Sequence, residues 1–147
     1  MLDRLFAAGD ISASGLAAER MRMQVVANNI ANANATHTES GEPFRRQRVS
    51  FAPITSSFAS LMDGPAADLN GVRVTGISDD MSEFPLVFDP GHPDADEAGY
   101  VRLSNVKVMN EMIDLLTATR SYEANLKSLQ TFKEMQERTL SILQQLG

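Results

Sequence analysis

Apolar residues recur at helical spacing through residues 2–32. Counted in heptads from Leu2, one line runs through Gly9, Leu16, Met23 and Ile30, with Leu5, Ser12, Glu19 and Val26 beside it. Phe6, Ala13 and Ala27 widen the stripe. No proline interrupts it, so the pattern predicts an amphipathic helix that Gly9 and Gly15 weaken. A second line begins where Ser104 or Asn105 can supply an N-cap, and runs Val108, Leu115, Tyr122, Leu129, Gln136, Leu143. Its companions are Met112, Thr119, Leu126, Lys133 and Leu140. Met109, Ile113, Leu116, Phe132, Met135 and Ile142 lie off that line, so the predicted helix is apolar on more than one side and needs several neighbours.

Between these segments the period changes. "THTESGEPF" is a polar, turn-rich linker that bends at Ser40-Gly41-Glu42-Pro43. "RRQRVSF", "GVRVTGI" and "FPLVFDP" then read as strands, the second with clear period-two alternation. Residues 55–70, punctuated by Gly64-Pro65, read as loop, and "DPGHPDADEAGYVRL" as one irregular stretch before the second helix. The expected fold is mainly α with a small β-rich middle element. It has an N-terminal helix over 1–32, a linker and β-rich element over 33–104, and a C-terminal helix over 105–147. The long helices are expected to pair as a coiled-coil-like stalk.

Length turns this pattern into an expectation about assembly. Residues 105–146 would form a rod of roughly 60 Å and residues 2–32 one of about 45 Å. A compact domain of 147 residues is only about 40 Å across. The longer helix therefore projects beyond any globule this chain can build. Seam residues such as Leu16, Met23, Met112, Leu115, Leu126 and Leu129 are expected to be covered by other molecules.

Composition narrows the classes of function. The formal net charge is −6 and the isoelectric point about 4.8, which excludes a general nucleic-acid binder. Without cysteine there is no disulfide framework and no thiolate metal site. "MLDRLFAAGDIS" is not a conventional secretory signal, so export would use a route without its cleavage. His92, Asp94, Asp96 and Glu97 form an acidic cluster, but lack the ligand ladder and flanking helices of a calcium loop and read as a solvated turn. His37 and His92 lie in no nucleophile motif. Arg45, Arg46 and Arg48 make a basic spot that can meet an anionic surface, although in so acidic a chain they read first as an ordinary solvated strand. No catalytic constellation, cofactor site or small-molecule substrate is indicated.

The amides of "VVANNIANANATHT" are harder to place. Asn28, Asn29, Asn32 and Asn34 crowd the end of a helix through which Val25, Val26 and Ile30 keep an apolar rhythm. They can face solvent at a fraying end. Asn32 or Asn34 can supply a left-handed terminating residue. Alternatively, the amides can bond across to a neighbouring helix at one axial register only.

Three stretches resemble the flagellar axial proteins, the rod and hook family, and within it the proximal rod. They are "SASGLAAERMRMQVVANNIANANAT", "GEPFRRQRVSF" and "LVFDPGHPDADEAGYVRLSNVKVMNEMIDLLTATRSYEANL". The Asn-rich motif alone marks an axial protein, whereas the proline-rich stretch joined to "RSYEAN" is more specific. The resemblance implies a structural subunit of the flagellar basal-body rod whose terminal helices form the inner tube of a helical assembly. It implies export in unfolded form by the flagellar type III apparatus, and action in the periplasm. Implied partners are copies of itself, other proximal and distal rod proteins, and a basal-body adaptor subunit.

The resemblance also favours the register-setting role for Asn28, Asn29 and Asn32 beside Ile30. It places Arg120, Tyr122 and Asn125 at subunit contacts. From the residues alone, Arg120 and Glu123 read as an i, i+3 ion pair flanking a core tyrosine, with Asn125 an amide in mid-helix. Two other classes of function remain for comparison. One is a cytoplasmic helical adaptor or export chaperone, and the other a small metal-dependent enzyme using the acidic turn.

Overall fold

A computed structural model describes residues 2–55 and 69–145. In chain order the elements are α1 (Leu2–Ala31), β1 (Gln47–Thr55), β2 (Leu69–Asp79), β3 (Leu86–Phe88), β4 (Tyr100–Arg102) and α2 (Val108–Gln145). β1 and β2 form one two-stranded sheet, β3 and β4 another. The fold is thus mainly α with a small β component. Of the loop expected over residues 55–70, residues 56–68 lie outside the described residues, and the flanking positions complete β1 and open β2.

Three local readings are corrected. α2 starts at Val108, because Ser104 and Asn105 direct their side chains elsewhere. Ser104 Oγ accepts from the Val106 N–H at 3.2 Å, and Asn105 ties down the preceding loop. Lys107 is the residue whose carbonyl receives the first turn, from the N–H groups of Asn110 and Glu111. β4 lies inside the stretch expected to be irregular. It pairs antiparallel with β3, with Phe88 opposite Tyr100 and their rings edge to face at 5.3 Å. Finally, among the described residues only glycines have positive φ, so neither Asn32 nor Asn34 ends α1 in the left-handed region. Instead Asn32 Nδ2 donates back to the Asn28 carbonyl and side chain, both at 2.9 Å.

Contacts divide the chain into two units. The first gathers residues 1–21, 51–75 and 118–147. Small residues set its packing. Ser12 and Ala18 of α1 and Ala118 of α2 are buried. Gly15 sits so close to the Asn125 side chain that a Cβ would lie 2.8 Å from its amide nitrogen, and Gly9 faces Leu129. Gly15, expected to weaken the helix, is thus where the Asn125 side chain of α2 fits against α1, whereas a Cβ at Gly9 would make only an ordinary contact with Leu129 at 3.9 Å. Ala13, expected to widen the apolar stripe, is exposed, because the buried face is rotated onto Gly9, Ser12, Gly15 and Ala18. Ser14 Oγ donates to the Ile11 carbonyl at 2.7 Å and accepts from the Val72 N–H at 3.1 Å, pinning α1 to β2.

The second unit gathers residues 22–50 and 76–117. Its apolar core is small: Val25 and Val26 from the end of α1, Ala33 in the turn after it, Val101 of β4, and Val106. Ala27 is exposed rather than part of the stripe. The linker bends as its sequence suggests, with the Thr38 N–H and hydroxyl both donating to the Glu42 carbonyl at 2.9 and 2.8 Å. The acidic stretch between β3 and β4 is an ordered loop. Asp96 Oδ1 accepts from the N–H groups of Ala98 and Tyr100, and Asp89 Oδ1 from that of Gly91.

Gly71 has φ +113°, and a Cβ there would fall on Ser14 Oγ. Gly71→Ala is expected to destabilise the chain by about 2 kcal/mol through backbone strain and displacement of the Ser14 hydroxyl. Gly76→Ala, with open space at its Cβ, should be near neutral. Urea denaturation of both variants checks the difference.

A buried polar clasp as the candidate functional site

Glu111 lies in the first turns of α2 and is fully buried. A carboxylate in that position must be matched by fixed donors, since desolvating it alone costs several kcal/mol. Arg46 Nε donates to Oε1 at 2.6 Å and Asn29 Nδ2 to Oε2 at 2.9 Å. Asn29, also fully buried, is saturated: its second amide hydrogen goes to the Gln47 carbonyl, and its own oxygen accepts from the Gln47 N–H, both at 2.9 Å. Side chain and strand thus pair as two backbone segments would.

Around this centre the charges nearly balance. Arg46 also faces Asp80 at 3.5 Å and Asp114 at 3.4 Å, and Arg22 of α1 reaches Asp114 at 3.3 Å. Partial burial pulls the Arg46 guanidinium down, but the bond to Glu111 and the neighbouring carboxylates outweigh it, so its pKa is raised. The Ser82 N–H, then its hydroxyl, hold the Asp80 carboxyl below the ordinary aspartate range, with Arg46 adding to the shift. Asn105 closes the clasp. Its oxygen accepts from the Arg46 N–H at 2.7 Å and its amide donates to the Asp80 carbonyl and Ser82 Oγ, both at 2.9 Å. Arg45 stacks over Phe84 at 4.1 Å and donates to the carbonyls of Asp80 and Ser82. Arg45 and Arg46 are thus tied into the fold rather than lying on an ordinary solvated strand. Arg48 alone of the three is exposed.

This chemistry fixes geometry. Five segments meet around the Glu111–Arg46 pair: the end of α1, the entry to β1, the exit of β2, the loop before α2 and the first turns of α2. The sequence signalled Asn29 but not its partners. Glu111, Asp80, Asp114 and Arg22 carry no signal, Asn105 reads only as a candidate N-cap, and the available hint is a single acid set among Val108, Met109, Met112 and Ile113.

The residues expected at subunit contacts are distributed unevenly. Asn29 is used inside the chain, so its amide has no hydrogen left for a neighbour. Asn28 is exposed and donates to Gln47 Oε1 at 3.2 Å. Leu16, Met23, Ile30, Leu115, Tyr122, Asn125 and Leu129 are half-buried. Arg120 and Glu123 are both exposed and form no ion pair with each other. Met112 and Leu126 are exposed. With Met112 go Met109, Ile113 and Leu116, a stripe one turn apart on the side of α2 turned away from Glu111. Of the acidic cluster, Asp94 receives the Thr36 hydroxyl at 2.6 Å and Asp96 caps its own loop, so both are occupied in shaping the turn.

Glu111→Ala is expected to cost about 3 kcal/mol, because it strands a partly buried guanidinium and one hydrogen of a buried amide. Combined with Asn29→Ala, the loss should fall short of the sum by more than about 0.5 kcal/mol in a double-mutant cycle read by urea denaturation. Asp80 gives a pH signature. Its depressed folded pKa contributes stability above the ordinary aspartate value of about 3.8, and that contribution is lost as pH falls through the folded value. Asp80→Asn should therefore flatten the acid limb of the stability profile and leave its neutral slope unchanged.

Two family models match the chain: the one described as flagella basal body rod protein over residues 10–37, and the flagellar basal body rod FlgEFG protein C-terminal model over residues 97–142. Among curated relatives, the flagellar basal-body rod protein FlgC of Bacillus subtilis (strain 168) is 43% identical across 90% of this chain and 94% of its own. That of Aquifex aeolicus (strain VF5) is 42% identical across 95% and 96%. The Borreliella burgdorferi protein of the same name is 39% identical across 95% and 98%. With identity of this order over at least 90% of its length, the chain belongs to the FlgC family of flagellar basal-body rod proteins.

Proposed function

We propose that the chain is a structural subunit of the flagellar basal-body rod, built into the proximal rod through its terminal helices. The relatives are named as rod proteins, which supports the structural role directly. The observation that carries the finer reading is the exposed stripe of Met109, Met112, Ile113 and Leu116 on α2. Soluble proteins seldom leave such a contiguous apolar face uncovered. Further along α2, Leu126, Met135, Leu140 and Ile142 are exposed as well. Other copies of the chain, or other rod proteins, cover these positions in the assembly, and the helices pair there as a coiled-coil-like layer. The subunit reaches the periplasm through the flagellar type III export apparatus. In this reading Leu16, Met23, Ile30, Leu115, Tyr122 and Leu129 hold the two helices together, while Met112, Leu126, Asn28 and Arg120 face neighbours.

A charge on an exposed seam position leaves the monomer intact and obstructs the contact. Leu126→Asp and Met112→Asp are each expected to retain the circular dichroism of the parent chain while reducing swimming and basal-body yield at least about tenfold, since burying an unpaired carboxylate costs more than 1.4 kcal/mol. Normal motility in both variants would overturn the assignment of this face.

A further inference from the structure

The chain contains no cysteine, so methionine is its only sulfur. Two thioethers sit on the uncovered stripe of α2, Met109 at 70% exposure and Met112 at 48%, one helical turn apart. Their neighbours on that face, Ile113 and Leu116, are equally bare. Access decides which methionines react with oxidants, and here access coincides with the surface proposed above to be buried on assembly. Met23, in contrast, is half-buried within the chain.

We propose that Met109 and Met112 form an oxidation site that controls incorporation of the subunit, with a hydroperoxide as the oxidant. This rests on the stripe being an assembly face. The thioether sulfur attacks the terminal peroxide oxygen, an S–O bond forms and the O–O bond breaks. The second oxygen leaves with the proton as water or an alcohol. Sulfur loses two electrons and the peroxide gains them. The sulfoxide is polar and chiral where the thioether was apolar and pliant, so it cannot be buried against an apolar partner without losing hydration. Reduction by a methionine sulfoxide reductase restores the original side chain. Once the subunit is incorporated, its neighbours shield the same sulfurs. The switch therefore acts on free subunits and spares finished structure.

The test uses cells whose rod depends on this chain, exposed to hydrogen peroxide while new basal bodies form. Peptide mass spectrometry of the unassembled pool should find sulfoxide at Met109 and Met112. Met81, the most exposed methionine among the described residues at 79%, reports oxidant dose. Chain recovered from basal bodies should carry both stripe methionines unoxidised. New basal bodies should fall about tenfold relative to unexposed cells, whereas in a strain carrying Met109→Leu with Met112→Leu the exposed count should stay close to that strain's own unexposed count, whatever its baseline yield, since leucine removes the sulfur. Equal loss in the leucine strain, or sulfoxide at both positions in assembled rods, would overturn the proposal. The outcome is separable from the assembly reading: if Met112→Asp blocks incorporation while oxidation does not, only the oxidation switch fails.

Discussion

A single carboxylate that water cannot reach governs how the second unit is put together. Glu111 is tolerable in its position only while Asn29 and Arg46 both point at it. Arg46 in turn is held by Asp80, Asp114 and, through its N–H, by Asn105. Each donor arrives from a different part of the chain, and none can slide along its neighbour without breaking a charged bond. An apolar contact of similar area would tolerate small shifts. A buried charge with fixed partners does not, which is the best-attested reason for proteins to keep such costly groups.

The first unit reaches close approach between α1 and α2 by a different chemistry. There Gly9, Ser12, Gly15 and Ala18 strip the side chains from one face of α1, and Asn125 and Leu129 of α2 settle against it. The two ends of the same helix thus divide the work. One end offers a smooth, small-residue surface, the other a set of directional bonds. Large apolar residues of α2 are left exposed in both units.

Much of this was legible in the residues, but unevenly. Helical period found α1 and α2 to within a few positions, and strand-like composition found β1, with alternation added for β2, because these signals are local. β4 was hidden because the three residues Tyr100, Val101 and Arg102 follow a run of glycine, proline and acids whose composition says loop. That loop takes its shape from bonds composition does not carry: Asp96 and Asp89 fold back on their own backbone. The polar motif at the end of α1 was recognised as unusual, yet its explanation needed a residue 82 positions away. Glu111 carries no mark of its own, since an acid in the first turn of a helix is expected anyway for its favourable interaction with the helix dipole. Glycine acts in two ways here: by propensity it weakens a helix, and at Gly15 its missing Cβ leaves room for the Asn125 side chain.

The separation between Asn29 and Glu111 also orders events in time. On the export route proposed above, a polypeptide delivered as a thread through a narrow opening would present one of these residues long before the other, whichever terminus leads. Until the later one emerges, the earlier polar group stays hydrated and its segment has no reason to collapse. Closure of so distant a pair is entropically slow compared with helix growth. The last step is therefore reserved for a molecule that has come through whole, and a truncated thread never reaches it.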